Sequence, residues 1–556
     1  MAKVTAATPP TAALLLADDP SWAPYDARDE LVPDRYWLAY IILYLMGVAS
    51  LLPWNALITP VEYLKLRAEG SDFVHSLESI LSIMFTSISF LTLLVLQRAQ
   101  NYVTPRTRIL SCLTLLLAIF GTLTGCAIAP LLVHDDELLD TLRDGATSQV
   151  LVIIVGAALC GIAQGVLTGS SMSYAALFAR PHYLQAISGG QGVAGLTIAT
   201  ANLLFKLPSI ARDCAEPTPE GGGMTPAHAR DVVNAAVIYF GSVCFVLLLC
   251  VAGFLTIEWL PFTRARKRLN ARAILASVTV NPLDAEALAG GVGGVTSSTS
   301  ASPPTDPAPE EGFCVLLVRL WKWAFSVCFV YTVTIALFPS LTATIAPAPF
   351  KAPTNTSSSN IGGEGASLAG QLVTYQAQQQ QQQQQLGLLA VSGAASKSGW
   401  CEWAGVFVPL GFVIFNLGDT IGRNLPCIFR APNVILACVV VRLLFAPLFM
   451  LCHTNSHADW LPIFWGTDAL PFLLMFIFSV TNGMFTSSIF VASQSIVEPK
   501  LRDAAASLLV MFLNLGIFLG AALNFVVLYL DCTPSEANGY SCNPFVQTGN
   551  ASLALS

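Results

Sequence analysis

Apolar runs of about twenty residues recur along the chain, separated by polar segments. A helix rising 1.5 Å per residue needs about 20 such residues to cross the hydrocarbon core of a bilayer. The pattern predicts eleven spanning helices: residues 36–58, 78–96, 108–133, 148–179, 184–207, 232–260, 313–345, 402–428, 432–453, 468–493 and 501–530. The first run begins after Arg35, too far in and too long for a cleaved signal peptide. The expected fold class is all-α: a polytopic membrane protein with six helices followed by five.

Two polar segments interrupt the rhythm. Residues 261–312 open with the basic run Arg264–Arg268 and continue in Gly, Ser, Thr, Pro and Ala, the composition of a flexible linker. Residues 346–399 contain the glutamine tract Gln378–Gln385, a compositional feature to which no fold or chemistry is assigned. The expected organisation is a tail to residue 34, a six-helix bundle at 35–260, the linker, a five-helix bundle at 313–530 carrying the 346–399 loop, and a second tail at 531–556.

Composition narrows the class. Only 11% of the 556 residues are charged, against about a quarter in soluble domains, and 54% are hydrophobic. Mean hydropathy is +0.64. An ordinary soluble enzyme and a disordered chain are both excluded. The net charge of −7 matters less than where the charges sit. With the N-terminus cytoplasmic, most of the 27 lysines and arginines fall on the inner side, including the run Arg264–Arg268. Eleven spans then leave the C-terminus extracellular.

Further features agree with this orientation. The two N-x-[ST] sequons, at Asn355 and Asn550, fall outside and are candidate glycosylation sites. Cys532 and Cys542 fall outside as well, where a disulfide can form. Cys214 and Cys401 share that side, so three pairings are open. The expected location is the plasma membrane.

Polar residues inside the spans mark candidate chemistry, because a charge in hydrocarbon needs a partner or a wet cavity. Asn416, Asp419 and Arg423 stand at i, i+3 and i+7 of the eighth span, on one helix face, and Asp419 can pair with Arg423. This stripe serves equally as a buried ion pair or as a hydrogen-bonding edge for a polar solute. Gly418 and Gly422 permit close helix approach. In the first span, Leu51-Leu52-Pro53-Trp54-Asn55 sets an aromatic face beside a helix break. A lone Trp near a span end also suits the interfacial belt. Gln164 lies among Gly161, Gly165 and Gly169, and Gln191 in a glycine-rich stretch that reads as helix packing. Phe338-Pro339 predicts a second break. Arg442 needs a buried partner and reads as structural or gating, and Asn482-Gly483 reads as a polar, flexible point. Neither HExxH, a nucleotide fold nor a cysteine–histidine metal cluster occurs, so the sequence points to a solute path and not to an enzyme. No cofactor and no nucleic-acid partner are expected.

Several of these motifs, in order, resemble the equilibrative nucleoside transporter family: Leu51–Asn55, Gly190–Gly195, Phe415-Asn416 through Asp419 to Gly422-Arg423, Arg442 through Pro447, and Asn482-Gly483. The resemblance spans all the helices but neither polar insert. It implies a major-facilitator-like architecture working by alternating access on a nucleoside, or also a nucleobase, purine or pyrimidine. By motif position, Trp54 would flank the base with Leu51 beside it, and Gln164 would hydrogen-bond the base. Asp419 and Arg423 would bind the ribose hydroxyls with Asn416 supporting them. Asn55, Gln191, Arg442 and Asn482 would be gate or structural residues, and Phe338, Pro339 and Phe412 would stand near the outer gate. The resemblance leaves passive and proton-coupled transport both open. A facilitator of sugars or other polar metabolites, and a non-transporting sensor or scaffold, are the competing expectations.

Overall fold

The computed structural model describes residues 27–69, 77–99, 102–132, 141–142, 146–215, 226–279, 313–347, 399–425, 429–452 and 467–531. Among the described residues, eleven helices are long and apolar enough to cross a membrane, as the apolar runs predict. They are α1 Leu38–Ile58, α2 Leu77–Ala99, α3 Pro105–Ile128, α4 Ala146–Ala176, α5 Pro181–Ala215, α6 Pro226–Trp259, α7 Phe313–Leu337, α8 Gly399–Asn424, α9 Pro432–Met450, α10 Ala469–Ser493 and α11 Arg502–Asp531. The end of the molecule where α1 begins is called the near end here, and the opposite one the far end.

Local chemistry starts these helices. At α3, the Thr104 hydroxyl accepts from the Thr107 amide and Pro105 occupies the first turn, so the otherwise unpaired first-turn amides are partly satisfied. Asp34 does the same for α1, accepting from the amides of Ala39 and Tyr40 and from the Tyr183 hydroxyl. Large apolar side chains such as Val95, Phe245 and Val318 remain on the outside, a surface suited to lipid.

Helix α1 runs along α5, α2 along α4, α3 along α4 and α6, and α7 along α11. In addition, α11 packs on α2 and α4, and α10 packs on α5. Glycines make the tightest approaches. Gly161, Gly165 and Gly169 of α4 face Phe85, Ser89 and Leu93 of α2, the four-residue spacing that lets backbones approach. Gly483 of α10 sits against the backbone of α8: a Cβ there would overlap the Asp419 carbonyl oxygen and lie 2.7 Å from the Arg423 amide nitrogen. Gly483→Ala should therefore destabilise the protein by about 1–3 kcal/mol, read as a lower melting midpoint in detergent.

The expected breaks fall unevenly. Helix α1 continues through Pro53. Helix α7 stops at Leu337, before Phe338-Pro339, and a short turn, Ser340–Ala343, follows. In α9 the irregularity is a 3-10 turn at Arg442–Leu444. Pro447 lacks the amide that would bond Leu443, and the turn before it tightens. Asn482-Gly483, expected to be flexible, lies inside the unbroken helix α10. There glycine serves close packing instead of bending.

The linker also differs from expectation. Its first part is a helix, Pro261–Thr279, packed on α6, on the 3-10 turn Ala27–Leu31 and on the turn Pro499–Leu501. The basic run is partly consumed there. Lys267 pairs with Glu258 at 2.8 Å and Arg268 with Asp29 at 2.6 Å. Residues 280–312, the glutamine tract, both sequons, and Cys532 and Cys542 lie outside the described residues.

Of the open cysteine pairings, the structure contains Cys214–Cys401 at the far end, with Cα atoms 5.8 Å apart. It ties α5 to α8 across 187 residues of sequence. Non-reducing digestion should yield a linked pair of peptides carrying these two cysteines. Cys401→Ser should lower stability by about 2–4 kcal/mol. Recovery of both peptides unlinked would refute the bond.

Candidate substrate-binding site

The eighth-span stripe becomes the centre of a buried polar network. Asp419 and Arg423 are one helical turn apart, 7% and 4% exposed, and Arg423 Nε donates to Asp419 Oδ2 at 2.6 Å. The remaining guanidinium donors leave the helix. Nη2 reaches the Tyr331 hydroxyl of α7 at 2.8 Å. Nη1 reaches Gln191 Oε1 of α5 at 3.1 Å and Ser188 Oγ at 3.3 Å. Asp419 Oδ1 accepts from Asn482 Nδ2 of α10 at 2.7 Å. Gln191 then donates to Ser50 Oγ of α1 at 3.2 Å, and Ser188 meets Ser487 of α10 at 2.9 Å. Ser487 in turn donates to the Arg423 carbonyl.

Four helices therefore converge on one ion pair, and α1 joins them through Gln191. The first six helices and the last five share it through Ser188 and Gln191. Burying two charges costs several kcal/mol each unless every donor and acceptor is matched. The matching here is close to complete for this pair. Although Arg423 lies near the end of its span, it is buried and bonded inward.

Arg442 forms a second buried centre, 2% exposed. It donates to Thr334 Oγ1 at 2.8 Å, Thr481 Oγ1 at 2.7 Å and the Phe478 carbonyl at 3.1 Å, and lies over the Phe478 ring at 4.5 Å. A cation held by carbonyl, hydroxyl and ring faces has its charge spread without a touching carboxylate. Its 3-10 turn places it there.

The other side of the candidate site is less saturated. Trp54 of α1 is half-buried and stacks on Phe85 of α2, ring centroids 3.9 Å apart and nearly parallel. One face of the indole is thus taken by protein. Leu51 is half-buried against the core. Gln164 of α4 is 7% exposed, and its Oε1 is a buried acceptor with no hydrogen-bond partner. Leaving such an atom unpaired costs about 1–3 kcal/mol, so a ligand that donates to it has something to gain.

Two expected placements differ, those of Asn416 and Gln191. Asn416 does not join Asp419 and Arg423: its Nδ2 donates to the Phe412 carbonyl of its own helix, and its side chain lies against Gly195 of α5. The Asn55 carbonyl accepts from Thr59 at the end of α1, a helix-capping bond. Gln191, read as a packing residue, is a direct ligand of Arg423. Phe338 and Phe412 do come together: Phe338 stacks on Phe415 at 3.7 Å and meets Phe412 edge-on at 5.1 Å. Pro339, beside them, begins the turn that ends α7. A small cavity opens between Phe338, Phe412, Phe407 and Met475.

Tyr331, Thr334, Ser50, Ser188 and Ser487 were not singled out from the sequence. Hydroxyls are common in membrane helices, and none stands in a run that marks it. The one available signal was spacing: Tyr331 and Thr334 are three apart, on one face of α7. Among the described residues, no group of three His, Cys, Asp or Glu side chains could hold a metal.

Eleven apolar helices around a charge network shared between several of them define a polytopic membrane transporter. The chain matches the family model described as nucleoside transporter over residues 154–354 and 379–529, and it belongs to that family. It is 27% identical to Equilibrative nucleoside transporter 2 of Mus musculus, over 90% of this chain and 99% of that one. It is 24% identical to Equilibrative nucleoside transporter 1 of Homo sapiens, over 89% and 97%. Among solved structures, the proton:xylose symporter XylE aligns over 88% of each chain at 13% identity and a TM-score of 0.42. The transporter FucP aligns at 12% identity and 0.43, over 89% of this chain and 98% of that one.

Proposed function

We propose that this chain carries nucleosides across a membrane by alternating access, without an enzymatic step, and that solute lies between Trp54 and Gln164 on one side and Asp419 and Arg423 on the other. The observation that carries this reading is the sharing of Arg423 between its own helix and Ser188 and Gln191 of α5. A charge pair bonded across the two groups of helices changes partners whenever they rock apart. A ribose offers vicinal hydroxyls that can take the place of those partners. A base offers a flat face for Trp54 and ring donors for the unpaired Gln164 oxygen.

Transport is read as passive. Asp419 is already engaged by Arg423 and Asn482, so a proton taken up there would cost the ion pair that the helices share. The near end, with the basic helix Pro261–Thr279, is read as cytoplasmic. The bonded Cys214 and Cys401 favour an oxidising far side, as at a plasma membrane.

The test is uptake of labelled adenosine and uridine into proteoliposomes, with and without an inward proton gradient. Saturable uptake that reaches but does not exceed equilibrium, gradient or not, and that excess glucose fails to inhibit, is expected. Concentration of nucleoside only under the gradient would replace the passive reading with proton symport. Folded protein with no nucleoside or nucleobase flux would sink the transport reading.

A further inference from the structure

We infer that Thr334 is a positioning residue for the solute site: its hydroxyl fixes the Asn482 amide, which in turn holds Asp419 in place. The inference rests on the proposed ribose contact of Asp419.

The argument is one of donors and acceptors. An ionised carboxylate only accepts, so the Asn482 group 2.7 Å from Asp419 Oδ1 is the NH2. The amide oxygen of Asn482 then points the other way, 2.7 Å from Thr334 Oγ1. Of these two oxygens only that of Thr334 carries a proton to give. The hydroxyl has a competing acceptor, its own helix's Val330 carbonyl, also at 2.7 Å. The Val330 carbonyl already accepts the Thr334 amide in the ladder of α7, whereas the Asn482 oxygen has no other donor among the described residues, so a proton turned to Val330 would leave the Asn482 oxygen unpaired in a buried site. The threonine proton is therefore committed to Asn482.

Arg442 completes the arrangement. Its Nη2 donates to Thr334 Oγ1 at 2.8 Å, occupying an oxygen lone pair with a charged donor. The chain of bonds runs Arg442, Thr334, Asn482, Asp419, Arg423, with Thr334 3% and Asn482 3% exposed. It links α9, α7, α10 and α8. In such a dry setting each bond polarises the next, and removing one link leaves an orphan instead of admitting water. Arg442 does not touch Asp419, yet its orientation of Thr334 reaches the carboxylate through two hydrogen bonds. This gives a buried arginine far from the solute a specific task. It also explains why the polar pair at Asn482-Gly483 sits in a rigid helix.

Thr334→Val keeps the branched shape and removes the hydroxyl. It strands the Asn482 oxygen, and the amide gains by turning or withdrawing from Asp419. Thr334→Ser retains the hydroxyl, and Thr334→Ala is the smaller second variant should valine perturb packing. The measurement is KM and maximal rate of uptake into proteoliposomes for adenosine and for 2′,3′-dideoxyadenosine. The wild type should favour adenosine. Thr334→Val and Thr334→Ala should raise KM for adenosine by roughly tenfold, the usual size of one buried polar group left unpaired. They should leave the dideoxy compound nearly unchanged, and Thr334→Ser should restore the wild-type value. If the wild type fails to distinguish the two compounds, the ribose contact itself is wrong and the inference falls with it. If the wild type distinguishes them but the valine and alanine variants shift neither KM, or both equally, the ribose contact stands and the positioning role is overturned.

Discussion

Asp419→Asn should abolish saturable nucleoside uptake. The substitution preserves shape but replaces an acceptor with a donor. Whichever way the new amide turns, its NH2 faces either Arg423 Nε or Asn482 Nδ2, both of which are donors in the present arrangement. Arg423 also loses the carboxylate with which it pairs. Breaking a buried pair from one side costs about 3–5 kcal/mol, a factor of roughly a hundred to several thousand. Part of that cost falls on stability and part on solute affinity. Melting in detergent separates them: a folded variant that no longer takes up or binds adenosine places the loss at the site. Uptake at the wild-type rate would mean that the network is structural and that solute passes elsewhere.

Trp54→Ala carries the second large effect. It removes an aromatic platform worth about 1–3 kcal/mol per stacked base and leaves Phe85 without its partner. KM should rise by tenfold or more for purine and pyrimidine nucleosides and for free nucleobases alike, since all share a flat ring. Trp54→Phe should recover much of the loss. Gln164→Leu gives the contrast. It removes an acceptor that is unpaired in the absence of solute, so stability should hold or rise while affinity falls by roughly tenfold. A Trp54→Ala protein with unchanged KM would return that residue to the alternative reading, an interfacial side chain packed on Phe85.

Much of this molecule is written in its one-dimensional pattern. Eleven spans follow from apolar runs because a backbone in hydrocarbon must satisfy its own hydrogen bonds, and a helix does so locally. The glycine spacing of α4 was legible for the same reason, as was the Asp419–Arg423 pair: residues four apart on a helix meet whatever else the chain does. The stop at Phe338-Pro339 is local too.

What lies between helices was decided only by packing. Gln191 reads as one more residue in a glycine-rich stretch until α5 lies against α8 and brings it to Arg423. Asn416 shares a helix face with Asp419, yet it faces Gly195 while its neighbours face α7 and α10, because a helix surface is divided among several partners. Asn482-Gly483 looked flexible in sequence, and close contact with the backbone of α8 made it rigid. Cys214 and Cys401 were two of four candidates until α5 and α8 set their Cα atoms 5.8 Å apart. Thr334 carried no signal beyond its three-residue spacing from Tyr331. A hydroxyl acquires meaning from the partners around it: its acceptor is Asn482, 148 residues away, and the donor to it is Arg442, 108 residues away. The sequence determined which segments enter the membrane and which charges they carry. The tertiary structure determined which of those charges meet, because hydrogen bonds are short-ranged and directional and the helices that supply them are distant in the chain.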